Sequence, residues 1–445
     1  MSKSAPQPLD IAIIGMGGCF PAARNIESYW RNILAKVDAV AEAEPEWVGP
    51  YFEASHNGSP TADDRTYTTK GGFLRELAEV DPQSFGVMPS VAAGSDPDHL
   101  LALQHARDAL ADAGYLTKPF NRERAGVILG RGTYGNKALA STMSRNLFLD
   151  QAMDLVRALR PDFTAVEVKQ LQESLKSQLM PFQAEHIGVL TPNVIAGLIA
   201  NRLDLMGPSS IVDAACASTL IAVEQAVREL ESGRCDLMIT GGIHSHTPPQ
   251  IFIQFCRINA LSRDKIRPFQ KGSEGTLLGE GVGMLVLKRR ADAERDGDRI
   301  YAVIRGVGTA SDGKAKGLLA PRLEGEVLAV RRAYATSGID PDTVDLIEAH
   351  GTGTSIGDRT EIDSLNTVFG GRGPGPQIAI TAVKSMIGHC MPASGAAALI
   401  KTALALHHKV LPPMLCDEPD PTLGLEKTPF YLNTETRPWV HGKPH

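Results

Sequence analysis

The stretch Val212–Leu220 reads Val-Asp-Ala-Ala-Cys-Ala-Ser-Thr-Leu and separates a short apolar segment from a helical pattern. Beyond it, apolar residues recur on one helix face, and Gly233 is suited to the position just past a helix C-terminus. Cys216 is therefore predicted to lie where a strand turns into the N-terminus of a helix. Free N–H groups and the helix dipole favour a thiolate there, which indicates a nucleophile. A buried, inert cysteine is the alternative.

Two further motifs each place a histidine just after an apolar strand pattern. Residues Glu348–Thr354 read Glu-Ala-His-Gly-Thr-Gly-Thr, and Lys384–His389 read Lys-Ser-Met-Ile-Gly-His. Open α/β sheets place their ligand sites at the carboxyl ends of strands. The sequence therefore predicts a site in which Cys216 is the nucleophile and His350 and His389 supply two imidazoles.

In this order and at these separations, the three motifs resemble those of the β-ketoacyl synthases, the condensing enzymes of polyketide and fatty-acid synthesis. The resemblance extends from Ile11–Gly17 to Phe430–Asn433, essentially the whole chain. It is closest to the ketosynthase domains of multifunctional (type I) polyketide synthases.

The resemblance implies an α/β, thiolase-like fold. Two similar βαβαβαββ halves would form five layers in the order α-β-α-β-α, with the active site between the halves. Residues 1–255 would form the half that carries the nucleophilic cysteine, with a helical insertion at about 137–190. Residues 256–445 would form the half that carries both histidines.

The chemistry that the resemblance implies is a decarboxylative Claisen condensation. An acyl chain would pass from the phosphopantetheine thiol of an acyl carrier protein to Cys216. A malonyl-type extender on a second carrier protein would lose CO₂, and its enolate would attack the Cys216 thioester. His350 and His389 match the histidines that stabilise the enolate. No permanently bound cofactor is expected, because phosphopantetheine carries the substrates.

Three more site residues follow from the same match. Lys384 is expected to orient and polarise the two histidines, through Glu348 or Glu361, although a structural ion pair is the alternative. Thr352 and Thr354 match the threonines that line the pantetheine arm.

The composition is that of an ordinary globular chain, and it argues against nucleic-acid-binding and membrane-spanning proteins. The 445 residues are 43% hydrophobic and 22% charged, with a net charge of −6, which argues against a nucleic-acid surface. No apolar run approaches the roughly 20 residues that span a bilayer. Six cysteines are scattered without C-x-x-C spacing, so neither a metal site nor a disulfide framework is predicted. We expect a cytoplasmic protein.

Two other classes of function compete with the condensing enzyme. The first is a catalytically idle or non-elongating ketosynthase-like protein that serves as a binding partner in an assembly line. Such relatives usually lose the cysteine or the first histidine, whereas Cys216 and His350 are both present. The second is a thiolase, which uses two cysteines and performs no decarboxylation. The histidine motifs argue against it.

The C-terminal part alternates between strand and helix patterns. Met284–Lys288 is predicted to be a buried strand, with Tyr301–Val307 as its hairpin partner. Helices are predicted at Glu324–Gly338, Asp358–Phe369 and Ala393–His408.

The resemblance also implies partners. Besides the acyl carrier protein, we expect a homodimer that pairs an edge strand beside the nucleophile, either Leu237–Gly242 or Ser210–Val212. The family closes with a Gly-Phe-Gly-Gly-x-Asn-Ala-His segment whose phenylalanine N–H joins the oxyanion hole, and this sequence stops at His445 before it. We therefore expect further domains or a second chain to supply the last strands.

Overall fold

The structure is a computed structural model that describes residues 10–53, 63–132, 137–181, 186–314, 317 and 320–440. Its strands are β1 Ile11–Cys19, β2 Ala41–Glu42, β3 Lys70–Gly71, β4 Ala125–Arg131, β5 Ser209–Val212, β6 Leu237–His244, β7 Gly281–Arg289, β8 Ala302–Ile304, β9 Leu346–Glu348, β10 Ile378–Thr381, β11 Val410–Leu411, β12 Phe430–Leu432 and β13 Arg437–Pro438.

The described helices are α1 Ile26–Leu34, α2 Pro89–Gly94, α3 Pro97–Asp112, α4 Lys137–Met143, α5 Leu149–Leu159, α6 Ala165–Gln178, α7 Ile187–Leu190, α8 Val194–Leu203, α9 Ser218–Glu231, α10 Pro249–Arg257, α11 Arg290–Arg295, α12 Leu323–Ser337, α13 Ser355–Phe369, α14 Lys384–Ile387 and α15 Ser394–His408. Single turns of 3-10 helix lie between several of these elements. Among the described helices, none is both long and apolar enough to cross a membrane.

A six-stranded mixed sheet forms the first β-layer, in the order β5-β4-β6-β7-β1-β8. Strands β5, β4 and β6 are parallel, while β7 runs antiparallel to both β6 and β1. Strands β1, β4 and β6 are buried along their whole lengths, and their apolar residues run almost without interruption. Helices cover both faces of the sheet, which explains these continuous apolar runs.

Alternate residues of β1 enter two different cores. Ile11 and Ile13 pack with α1, α9 and α15 on one face of the sheet. Ala12 and Ile14 pack with α3 and α8 on the other face. Because side chains along a strand point to opposite faces in turn, a single strand supports both helix layers.

A second, parallel sheet in the order β12-β10-β9 completes the five layers. Its outer face packs against α13, where Ile362 and Phe369 meet Ile378 and Ile380 of β10 in a third core. Residues of α12 pack against the same core. Helix α15 lies on its inner face, where Lys401 reaches Glu348 of β9. The layers are therefore helices, six-stranded sheet, helices, three-stranded sheet and helices, as expected from the sequence.

Several details of strand pairing differ from the sequence-based predictions. The segment expected at Tyr301–Val307 forms β8, which pairs with β1 rather than with β7. Strand β6 is an interior strand between β4 and β7, so only β5 of the two candidate strands lies at the sheet edge. Strand β7 lies in the first sheet although it follows the division expected near residue 255, and that division stays a prediction.

Candidate active site

The turn that carries Cys216 is held by its own side chains. Cys216 is the middle residue of a single 3-10 turn, Ala215–Ala217, directly before α9. The Asp213 carboxylate accepts a hydrogen bond from the Ala215 N–H at 3.0 Å. Ser218 Oγ accepts from the Ala214 N–H at 2.9 Å and donates to the Ala215 carbonyl at 2.6 Å. Between β5 and α9 the cysteine thus has a defined position.

Ala215 has a φ of 50°, in the left-handed region that residues with a Cβ seldom adopt. Strain of this kind persists only where the surroundings impose it, and it often marks a functional turn. Here it makes the turn between β5 and α9 tight and places the next residue, Cys216, just past the carboxyl end of β5.

The electrostatic environment of Cys216 differs from the expectation of a thiolate stabilised by the helix N-terminus. Burial raises the pKa of the Cys216 thiol above its ordinary value, and the positive charge of Lys384 offsets only part of that increase. Desolvation thus acts against the thiolate that the helix N-terminus is expected to favour, and the role of Cys216 as the nucleophile stays a prediction. One group that favours the thiolate, Lys384, comes from a distant part of the chain.

His389 is buried directly after α14, and its tautomer follows from its partners. Its Nδ1 accepts a hydrogen bond from the Met391 N–H at 2.9 Å and lies 3.0 Å from Ser394 Oγ. A backbone N–H can only donate, so the proton of the neutral ring is on Nε2. Burial lowers the pKa of His389 well below its ordinary value, so the ring is neutral at physiological pH. His389 therefore presents an Nε2–H donor.

His350 follows β9 and is exposed, with its ring perpendicular to that of His389 and the ring centres 5.7 Å apart. Its Nδ1 lies 3.5 Å from Nζ of Lys384. The positive charge of Lys384 is the main cause that lowers the pKa of His350 to about 3. Because a lysine ammonium only donates, Nδ1 of His350 faces a donor and Nε2 carries the proton.

Lys384 contacts His350 directly. It is buried, and its Nζ donates to the His350 carbonyl at 2.5 Å. Burial lowers the pKa of Lys384, while nearby carboxylates, first of all Glu361, act in the opposite direction. Glu361 accepts the N–H groups of His350 and Gly351 at 2.6 and 2.8 Å. The lysine and the glutamate therefore hold the backbone of the His350 motif from two sides.

Glu348 is bound elsewhere. Its Oε2 accepts from Lys401 Nζ at 2.7 Å and from the Thr381 hydroxyl at 2.6 Å, while Oε1 accepts the Val383 N–H at 2.7 Å. The carboxylate thus ties β9 to the end of β10 and to α15. Sequence reasoning missed Lys401 as part of the site. The available signal was a lysine on the apolar side of an Ala-rich helix.

Thr352 and Thr354 lie after His350, and their hydroxyl oxygens are 3.0 Å apart. Asp358 at the start of α13 accepts the Gly353 N–H at 3.1 Å and the Phe269 N–H at 2.6 Å. Burial raises the pKa of Asp358 to about 6. These contacts fix the loop that presents the two hydroxyl groups.

The turn after His389 brings the two halves of the site together. Residues Met391–Ala393 pack against the Ala215–Ala217 turn. The Thr219 hydroxyl of α9 donates to the Pro392 carbonyl. At Gly395 a Cβ atom would lie 3.0 Å from Thr219, so α15 approaches α9 closely. The structure thereby places Cys216 beside the segment that carries His389, and all four predicted catalytic residues gather at one place.

A cavity of about 860 Å³ lies at the ends of β4 and β6, lined there by Arg131 and His246. Its wall is partly apolar, with Leu100, Met143 and Ile251, and partly charged, with Asp98 and Arg131. Cys216 is not among the described residues that line it.

A thiol beside two neutral imidazoles, between the sheets of a five-layered α/β fold, is typical of acyl-transferring condensing enzymes. Comparison with known families agrees. The family described as "Beta-ketoacyl synthase, N-terminal domain" matches residues 9–293, and "Beta-ketoacyl synthase, C-terminal domain" matches residues 301–416. The chain belongs to the β-ketoacyl synthase family.

Among similar proteins, "Polyketide synthase PksN" of Bacillus subtilis (strain 168) is 33% identical over 449 residues. That match covers 98% of this chain and 7% of the relative. The "Mycoketide-CoA synthase" of Mycobacterium tuberculosis (strain ATCC 25618 / H37Rv) is 34% identical, over 97% of this chain and 10% of the relative. A polyunsaturated fatty acid synthase from Thraustochytrium sp. (strain ATCC 26185 / S-3) is 35% identical, over 96% of this chain and 15% of the relative. The chain therefore spans a small part of the length of these curated relatives.

Solved structures similar to this chain include ketosynthases. The ketosynthase from module 6 of the bacillaene synthase from Bacillus subtilis 168 matches with a TM-score of 0.80 and 31% identity. The match covers 98% of this chain and 68% of that one. A structure titled "PfaC Keto synthase-Chain length factor" matches with a TM-score of 0.83 and 30% identity, over 97% of this chain and 45% of that one. The fold is thus thiolase-like, as the sequence predicts.

Proposed function

We propose that this chain catalyses a decarboxylative Claisen condensation. In this reaction a chain held as a thioester on Cys216 is extended by a malonyl-type unit. The single observation that carries the proposal is the pair of neutral imidazoles beside the cysteine turn. His389 has its Nδ1 occupied by a backbone N–H, and its Nε2–H remains to act as a donor.

The reaction has three bond-changing steps. Cys216 sulfur attacks the acyl thioester carbonyl, and the phosphopantetheine thiol of an acyl carrier protein leaves with the proton. The malonyl carbon–carbon bond then breaks, CO₂ leaves, and its electron pair forms an enolate. The enolate carbon attacks the Cys216 thioester, a new carbon–carbon bond forms, and the cysteine thiolate departs from the β-ketoacyl product.

The two imidazole donors act at the second step. The enolate oxygen gains negative charge as CO₂ leaves, and the Nε2–H groups of His350 and His389 would donate to it. Preorganised donors of this kind contribute about 3–4 kcal/mol each in comparable oxyanion sites. Lys384 acts as a positioning residue, because it holds the His350 carbonyl and its charge helps to keep both rings neutral.

The remaining roles concern binding. Thr352 and Thr354 would donate to the pantetheine arm, since their hydroxyl groups lie together on a loop fixed by Asp358. We propose an acyl carrier protein and a second copy of this chain as partners, and the cytoplasm as the compartment. A catalytically idle binding partner is not favoured, because Cys216, His350 and His389 are all retained and assembled.

The test separates the two half-reactions. Intact-protein mass spectrometry measures loading of Cys216 from an acyl thioester, and CO₂ release measures decarboxylation of malonyl-carrier protein. Cys216→Ala should abolish loading, while Cys416→Ala, a change at another partly buried free cysteine, should leave it intact. His350→Ala and His389→Ala should retain loading and lower decarboxylation. Equal loss of both half-reactions would instead assign the histidines to activation of the thiol.

A further inference from the structure

The turn after His389 has a strained backbone at the residue that binds the imidazole ring. Met391 has a φ of 49°, in the left-handed region that residues with a Cβ seldom adopt. Its N–H is the group that donates to Nδ1 of His389 at 2.9 Å. Such strain persists only where the surrounding structure imposes it, and all three residues of the Met391–Ala393 turn are buried. The packing of the turn therefore directs this N–H onto the ring.

The backbone is held on both sides of the ring. The N–H of His389 donates to the Leu277 carbonyl at 2.7 Å, and the His389 carbonyl accepts the Gly279 N–H at 2.8 Å. On the other side of the turn, the Thr219 hydroxyl donates to the Pro392 carbonyl. Groups that this segment presents to Nδ1 of His389 therefore have defined positions.

Ser394 presents a second group to the same ring nitrogen. It is the first residue of α15 and is buried, and its Oγ lies 3.0 Å from Nδ1 of His389. Within the described part of the chain, this contact is the only hydrogen bond of the Ser394 hydroxyl. Because the Met391 N–H can only donate, Nδ1 carries no proton, and the hydroxyl must be the donor. Nδ1 of His389 thus accepts two hydrogen bonds.

Two donors on Nδ1 affect the opposite side of the ring. Hydrogen bonds in a chain polarise one another, so donation into Nδ1 makes the Nε2–H of His389 a stronger donor. The pair also fixes the orientation of the ring. Turning the ring over would place a carbon atom in front of the Met391 N–H and the Ser394 hydroxyl, and buried donors without acceptors are costly.

We propose that Ser394 is a positioning residue for decarboxylation: its hydroxyl gives Nδ1 of His389 a second hydrogen bond and thereby directs the Nε2–H toward the enolate oxygen. This inference rests on the proposed function and adds a residue that lies beyond the Lys384–His389 motif. Ser394 acts through the histidine. The loss of its hydroxyl should therefore affect the step that uses the Nε2–H donor and spare the loading of Cys216.

The first experiment separates the two half-reactions in Ser394→Ala. The kcat of CO₂ release from malonyl-carrier protein should fall about three- to tenfold, with KM and the loading of Cys216 unchanged. Thr402→Val is the matched control, because it removes from the same helix a hydroxyl that binds the Ala398 carbonyl. The control should keep the wild-type rates. A decrease of loading and CO₂ release by the same factor in Ser394→Ala would overturn the inference.

The second experiment asks whether Ser394 acts through His389. In a His389→Ala background, Ser394→Ala should cause no further decrease in CO₂ release, whereas a purely structural role would lower it again. NMR of protein labelled with nitrogen-15 in its histidine rings supplies a readout that needs no activity. The Nδ1 resonance of His389, identified by its loss in His389→Ala, should shift in Ser394→Ala and stay in place in Thr402→Val. A further decrease, or an unshifted resonance, would overturn the inference.

The outcomes distinguish this inference from the proposed function. Equal kcat values for an active wild type and Ser394→Ala would overturn the inference and leave the proposed function intact. A wild type that loads Cys216 but releases no CO₂ would overturn both. If Ser394→Ala does not fold, Ser394→Cys, which keeps the shape of the side chain but donates weakly, should lower kcat as well. An unchanged kcat in that variant would overturn the inference.

Discussion

Nζ of Lys401 donates to Oε2 of Glu348 at 2.7 Å, and the two side chains are 1% and 6% exposed. The pair joins α15 to β9, next to the His350 motif, and Glu348 also binds the end of β10, next to the Lys384–His389 motif. Glu348 thereby helps to fix the backbone before both His350 and His389.

Removing one partner of this pair should be costly. Lys401→Met leaves a buried carboxylate without its counter-charge, and we expect a loss of about 3–5 kcal/mol in the free energy of unfolding. Lys409→Met, at the exposed end of the same helix, should change it by less than about 0.5 kcal/mol. Denaturant unfolding measures both. Combining Lys401→Met with Glu348→Gln should recover part of the loss in the free energy of unfolding. Equal losses in Lys401→Met and Lys409→Met would show that the buried pair does not stabilise the fold.

Lys384 should determine the pH profile of decarboxylation. Its charge lowers the pKa of His350 to about 3, so acidification to pH 5 does not protonate this imidazole in the wild type. In Lys384→Met the pKa of His350 should return toward 6.5, so below that value the ring becomes an imidazolium, which keeps its Nε2–H donor and adds a positive charge beside the enolate. Relative to its value at pH 7.5, the rate of decarboxylation in the variant should therefore rise as pH falls to 5.5, by up to about tenfold as the imidazolium fraction rises, whereas the wild type should show no such change.

The measurement is CO₂ release from malonyl-carrier protein across this pH range. Lys271→Met, which changes a lysine at the surface, serves as the control and should keep the wild-type profile. A Lys384→Met profile that is lower at every pH but unchanged in shape would indicate that the lysine acts on geometry alone.

The left-handed conformation of Ala215 predicts an unusual response to glycine. At a φ of 50° glycine adopts the backbone shape without the steric cost of a Cβ, so Ala215→Gly should raise the free energy of unfolding by up to about 1 kcal/mol. Ala214 has a φ of −137°, and Ala214→Gly should lower it by about 0.5–1 kcal/mol. Thermal or urea unfolding of both variants tests the opposite signs. A loss in both would show that the turn is unstrained.

The edge strand β5 should mediate a homodimer. Among the described strands it pairs only with β4, and its outer backbone groups are available to a second copy of the chain. Sedimentation velocity at micromolar concentration should show a dimer. Ser210→Asp places like charges near the two-fold axis and should shift the equilibrium toward monomer, whereas Ser232→Asp on the exposed end of the α9 region should not. A wild-type monomer would contradict the proposal.

Local sequence patterns predicted the elements that carry the site. The helix predicted at Ala393–His408 forms at Ser394–His408, and the one predicted at Glu324–Gly338 forms at Leu323–Ser337. Such elements depend on the periodicity of neighbouring residues, which the sequence contains in full. The resemblance carried by the Cys216 and histidine motifs likewise led to the family that the comparisons establish.

The pairing of strands could not be predicted from local sequence patterns. The segment after β7 was expected to form a hairpin with it, yet β8 pairs with β1 at the edge of the sheet. Both arrangements satisfy the same apolar pattern, because pairing depends on which edge the folded sheet leaves open. A pattern within one segment contains no information about that edge.

The sequence by itself determined the elements, the motifs and the family of this protein, because these depend on residues that are close along the chain. Only the tertiary structure decided the direction in which the pKa of Cys216 moves, the tautomer of His389 and the partner of Glu348. Each of these depends on burial and on a charge or donor from a remote segment, such as Lys384 beside His350 or Lys401 beside Glu348. Electrostatic interactions in a low-dielectric interior are set by distances in space, and folding alone creates those distances.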